Sequence, residues 1–126
     1  MDLADVLLLT GSIVILIWGA AHIAPTRSVV KGFGAISEDN KRIITMEWIA
    51  EGLALCFIGV LVLAVTFFDG SNDPISKNVV RLSAAMLIVM AVLTQLTGAR
   101  TPIVAIKLCP VVKTAVAIIF ILGTVA

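Results

Sequence analysis

Charge is what this chain has least of. Only 13% of its 126 residues are Asp, Glu, Lys or Arg, where a soluble domain carries about 25%. What stands in their place is apolar: 60% of the residues are hydrophobic and the mean hydropathy is +1.16. A soluble core of this size could not hide so much apolar surface. The composition therefore calls for an integral membrane protein in contact with the lipid bilayer. A net charge of +1 supplies no basic excess, and no nucleic-acid partner is expected.

Other absences narrow the chemistry. There is one histidine and there are two cysteines, with no CxxC and no Cys/His cluster, so zinc and dithiol chemistry find no ligands. Cys56 and Cys109 lie in apolar surroundings and read as small buried hydrophobes; one disulfide is arithmetically allowed. The first residues carry Asp2 and Asp5 and no base, whereas a signal peptide opens with positive charge. The first apolar segment is thus expected to remain as a span. No Ser/Pro-rich linker and no internal repeat divides the chain, so residues 1–126 are expected to form one domain.

Four apolar stretches approach the roughly 20 residues a helical span needs. The expected helices are 3–24, 43–68, 74–99 and 102–126, an all-α four-transmembrane-helix bundle. The second has grounds to start earlier, since Ser37 is a good N-cap followed by Glu38 and Asp39. Asp73-Pro74 and Thr101-Pro102 are start signals for the third and fourth. Pro110 falls inside the fourth helix, where it leaves the Ile106 carbonyl without its donor and predicts a kink.

Basic residues set the expected orientation. Arg27, Lys31, Lys41, Arg42, Arg100 and Lys107 fall at one end of the bundle, against Lys77 and Arg81 at the other. The positive-inside rule places the richer end in the cytoplasm and both termini outside. Small size and short loops point to a bacterial inner membrane. The first connection, "TRSVVKGFGAIS", reads as a solvated connector resting on headgroups, with a lid hinged at Gly32 and Gly34 as the functional alternative. Arg81 is expected to pair with Asp69 or Asp73.

The segment "ITMEWIAEGLAL" carries the main question. Glu47 and Glu51 are four residues apart and share a helix face. Glu51 falls about 5 to 12 Å inside a hydrocarbon core of about 30 Å. Facing lipid, a carboxylate there costs up to about 3 kcal/mol, so both are expected to face the bundle interior. Candidate neighbours come from the other three helices at the same end. They are Trp18 and His22, Gln95 and Arg100, and Lys113, whose long stem can reach Glu51. Gly19 would let a neighbouring helix approach, and Ala84, Ala91 and Gly98 form a small-residue stripe beside Gln95. Trp48 reads either as wall of the same pocket or as part of an interfacial aromatic belt. The opposite half of the bundle reads as almost purely apolar.

Intramembrane ionisable groups mark function by default. The leading expectation is a cytoplasm-facing polar pocket of Trp18, His22, Glu47, Trp48, Glu51, Gln95, Arg100 and Lys113. It would bind a small ligand or ion, and a proton-coupled carrier is one form of this. The alternative is a membrane-embedded acid/base enzyme of isomerase, hydratase or cyclase type on a lipophilic substrate, with His22, Glu47 and Glu51 as catalytic groups. A structural reading makes Glu47–Arg100 and Glu51–Lys113 ion pairs that fix helix register. An accessory subunit of a larger membrane complex, or a homodimer, fits the apolar faces as well. No metal site is expected: His22, Glu47 and Glu51 could supply three ligands, but the ExxH pairs of di-iron bundles are missing. No cofactor is identified by the sequence.

Overall fold

The computed structural model describes residues 1–126 and is helical throughout, with no strand. Four helices are long and apolar enough to span a membrane: α1 (Leu3–Ile23), α3 (Glu38–Phe68), α4 (Pro74–Leu96) and α5 (Val104–Val125). A short α2 (Thr26–Gly32) and a 3-10 turn (Gly98–Arg100) occupy the connections. Only 28 of the 126 residues are buried, so most of the apolar surface points outward, as in Leu53, Phe57, Leu82, Val89, Val111 and Ile118. Such a surface suits acyl chains and not water. The protein is an integral membrane protein, a four-helix bundle whose outer faces meet lipid.

The helix ends follow local chemistry. Asp2 and Asp5 form a capping box, each carboxylate accepting from the other's backbone N–H at 2.9 and 3.1 Å, which answers the unpaired donors of a helix start. The Ser37 hydroxyl accepts from Asn40 N–H at 3.1 Å, so α3 begins at Glu38 and not at 43. Its 31 residues make about 46 Å of helix, more than a core of about 30 Å holds. Asp73 caps α4, accepting from Ile75 and Ser76 N–H at 2.8 and 3.0 Å.

Several expectations are corrected here. With Asp73 spent as a cap, Arg81 makes no ion pair with it or with Asp69; its Nε donates to Thr124 Oγ1 at 3.3 Å. The third span ends its α-helix at Leu96 and not 99, because Thr97 leaves helical geometry and the chain tightens into the 3-10 turn. The fourth starts at Val104 and not 102. Thr101 donates its hydroxyl back to the Gly98 carbonyl at 2.8 Å, which leaves Ile103 as an N-cap without a side-chain bond. α5 then runs on through Pro110. In the first connection, α2 packs against α3 and half-buries Val29 and Val30, and Gly34 leaves it at a φ of 73°. The connector is therefore partly helical.

The chain direction defines two ends. The terminal end carries both termini and the turn at 69–73; the loop end carries the connections 24–37 and 97–103. α1 packs against α3 and α5, and α4 against α5, while α3 and α4 meet sparsely. Small residues set the α1–α3 seam. A Cβ on Gly19 would lie 2.9 Å from the Gly52 carbonyl, and one on Gly59 would lie 2.9 Å from the Ser12 carbonyl. The two contacts recur seven residues apart on antiparallel helices, so the backbones touch over two turns. Ala84 and Ala91 are buried along the stripe read from the sequence.

The sequence reads the terminal half as almost purely apolar; the structure buries several hydroxyls there, most of them bonded internally. Thr66, Ser76, Ser83 and Thr124 are buried there and donate to the carbonyls of Val62, Val65, Val79 and Ile121. Bonding to a helix carbonyl is what makes a hydroxyl inexpensive in lipid. Ser12 Oγ alone has no partner.

Candidate functional site

At the loop end the bundle opens. A cavity of about 630 Å³ lies between α1, α3, α4 and α5. Its polar floor is organised by Lys113, whose side chain is 0% exposed. An unpaired ammonium buried in a bundle would be costly. Here Nζ donates to one carboxylate oxygen of Glu51 and, at 2.9 Å, to Thr94 Oγ1. Thr94 in turn donates to the Met90 carbonyl at 2.9 Å. Three helices, α3, α4 and α5, are thus joined through one lysine.

Glu51 is the accessible member of that pair, 32% exposed against 0% for Lys113. Its second oxygen lies 3.4 Å from His22 Nε2, yet no hydrogen bond joins them and Nε2 has no partner at all. His22 is held from its other sides. Its ring stacks on Trp48, centroids 4.1 Å apart and planes 15° from parallel. Trp48 Nε1 donates to the His22 carbonyl at 2.7 Å, one of the carbonyls that the end of α1 leaves without a helical donor. Trp48 is therefore a clamp on α1 as well as cavity wall. Trp18, four residues before His22, lines the cavity and directs Nε1 to Cys109 Sγ at 3.4 Å.

The structure brings together Trp18, His22, Trp48, Glu51 and Lys113, with Glu47 at the mouth. Glu47 lines the cavity but is exposed and makes no ion pair. Two residues of the expected group are elsewhere. Gln95 sits on the far side of α4, in a separate apolar groove against α5 with Pro110 and Thr114. Arg100 is exposed at the end of the 3-10 turn and pairs with nothing. The Glu47–Arg100 pair is absent: Arg100 lies beyond the end of α4, in the 3-10 turn, and neither residue makes an ion pair. Nor do His22, Glu47 and Glu51 converge: no three His, Cys, Asp or Glu side chains are grouped to hold a metal ion.

Sequence reasoning missed Thr94 as the second acceptor for Lys113. It also missed the apolar wall of Met86, Met90, Leu93 and Ile106. Thr94 had a signal, since it precedes Gln95 on the helix and points about 100° away from it. The wall residues had none, because they resemble every lipid-facing position in the chain.

These features define the class of protein, a polytopic membrane protein with a Lys113–Glu51 pair set between its helices toward one end. Comparison of the chain with protein-family models, with curated proteins and with solved structures finds no match.

Proposed function

We propose that the loop-end cavity is a binding site for a small amphiphilic molecule, and that this end faces the cytoplasm, as the excess of basic residues there favours. The observation that carries the reading is the combination of an apolar cavity of about 630 Å³ with a buried, unpartnered His22 Nε2 beside a half-open carboxylate. Pockets of this size, mostly apolar with a few converging polar groups, are the usual form of a small-molecule site. Sparse contact between α3 and α4 supplies a lateral opening for a guest dissolved in lipid. Toward the terminal end, Ile15, Leu55, Leu87 and Val116 form a layer that is at most 1% exposed. That layer favours a one-sided site over a carrier.

The chain's two tryptophans, Trp18 and Trp48, both line the cavity, so intrinsic fluorescence reports occupancy directly. Titration with 6-bromohexanol, whose bromine quenches indole, is expected to saturate in the wild type. It should become weak and linear in Ala50→Phe, which fills the cavity from α3. Identical linear quenching in both proteins would mean partition into the detergent or lipid and would end the proposal.

A second reading is favoured by one feature, the histidine nitrogen held 3.4 Å from a carboxylate oxygen. It makes His22 and Glu51 an acid–base pair acting on a lipophilic substrate, with Lys113 as electrostatic support. Incubating a membrane lipid extract with wild type and with His22→Gln would test it. Indistinguishable product profiles by mass spectrometry exclude this chemistry for the lipids present.

A further inference from the structure

The charges that a guest would meet in this cavity are all of one sign. Lys113 is enclosed, behind Glu51, with its donors directed at Glu51 and Thr94. No lysine or arginine lines the cavity, whereas Glu47 and Glu51 both do. Lys113 balances Glu51, and Glu47 has no counter-charge. The lining side chains therefore carry a net negative charge, with two indoles and one spot where Glu51 and His22 Nε2 stand 3.4 Å apart without bonding each other.

From this, and resting on the reading of the cavity as a binding site, we infer that its guest is a lipophilic amine carried as the ammonium. One N–H of an ammonium can donate to the free Glu51 oxygen, and another to His22 Nε2 with the ring proton on Nδ1. Glu47 adds attraction at the mouth, and Trp18 and Trp48 suit a cation near their rings. The apolar body then lies along Met86, Met90, Leu93 and Ile106. An alkylamine stays protonated at neutral pH, as lysine does. A carboxylate head would meet Glu47 and Glu51 and no lysine or arginine in the lining. An alcohol would find acceptors but no charge attraction.

The test is competition against bound 6-bromohexanol, followed through tryptophan fluorescence, by hexylammonium, hexanol and hexanoate, which share one apolar length. Hexylammonium is expected to displace the quencher at a concentration at least about tenfold below that of hexanol, and hexanoate to be the weakest. Glu47→Gln, at an exposed position where folding is not at risk, should shrink the ammonium preference to within about twofold. Equal competition by all three, a preference for hexanoate, or an ammonium preference untouched by Glu47→Gln would overturn the amine assignment while leaving the cavity a binding site. Absence of saturable quenching in the wild type would overturn both.

Discussion

At the terminal end, Phe120 presses against Gly11 and Leu8 against Gly123 so closely that a Cβ on either glycine would overlap its neighbour. Four buried hydroxyls there, on Thr66, Ser76, Ser83 and Thr124, are bonded to helix carbonyls. At the loop end, the same four helices surround about 630 Å³ of space, with an ion pair on its floor and an imidazole nitrogen bonded to nothing. The contrast separates two uses of polarity in a membrane. Groups that serve packing are satisfied by helix carbonyls, three in their own helix and one, Ser76, across to Val65 of α3. Groups set between helices around a cavity keep unused capacity, and unused capacity in a low-dielectric interior is what a ligand can meet.

Three changes would break or sharpen this contrast. The largest effect is expected at the ion pair. Glu51→Gln leaves Lys113 enclosed without its carboxylate, and removing one partner of a buried pair costs about 3 to 5 kcal/mol. Unfolding in mixed micelles should show that loss, and Glu51→Gln combined with Lys113→Met should recover most of it. If the single variant is as stable as wild type, the pair is held at a cost that packing does not require. The next effect lies in the tight half. Gly59→Val drives a side chain into the Ser12 carbonyl and parts α1 from α3. Overpacking of this kind costs about 1 to 3 kcal/mol; no change in the unfolding midpoint would mean that the seam is softer than its distances indicate. The smallest is expected at the cavity wall, where Met90→Ala removes atoms that already face open space. Its cost should stay within about 0.5 kcal/mol, and a larger loss would show that the wall is packed in the working protein.

Much of the frame was legible because lipid imposes simple rules. Apolar length located four spans, and Asp73-Pro74 marked the start of α4 to the residue. Where side chains had two uses, the sequence could not choose. Thr101 looked like a cap and served the turn behind it; Asp73 looked like a partner for Arg81 and was consumed as a cap. The meeting of Glu51 with Lys113 followed from depth and reach alone. The separation of Gln95 and Arg100 from the others did not, because depth fixes how far along a helix a residue lies and not which way it faces. Gln95 and Thr94 are neighbours in sequence at almost equal depth, yet they serve different grooves.

On the proposed reading of the cavity, the sparse contact between α3 and α4 also changes what concentration means for this site. A molecule that arrives between two helices from the hydrocarbon never has to be soluble in water. Occupancy is then governed by its mole fraction in the surrounding leaflet, which a modest partition preference can raise far above its aqueous level. Weak contacts inside the cavity would suffice to fill it, and the lipid around the bundle would act as its reservoir.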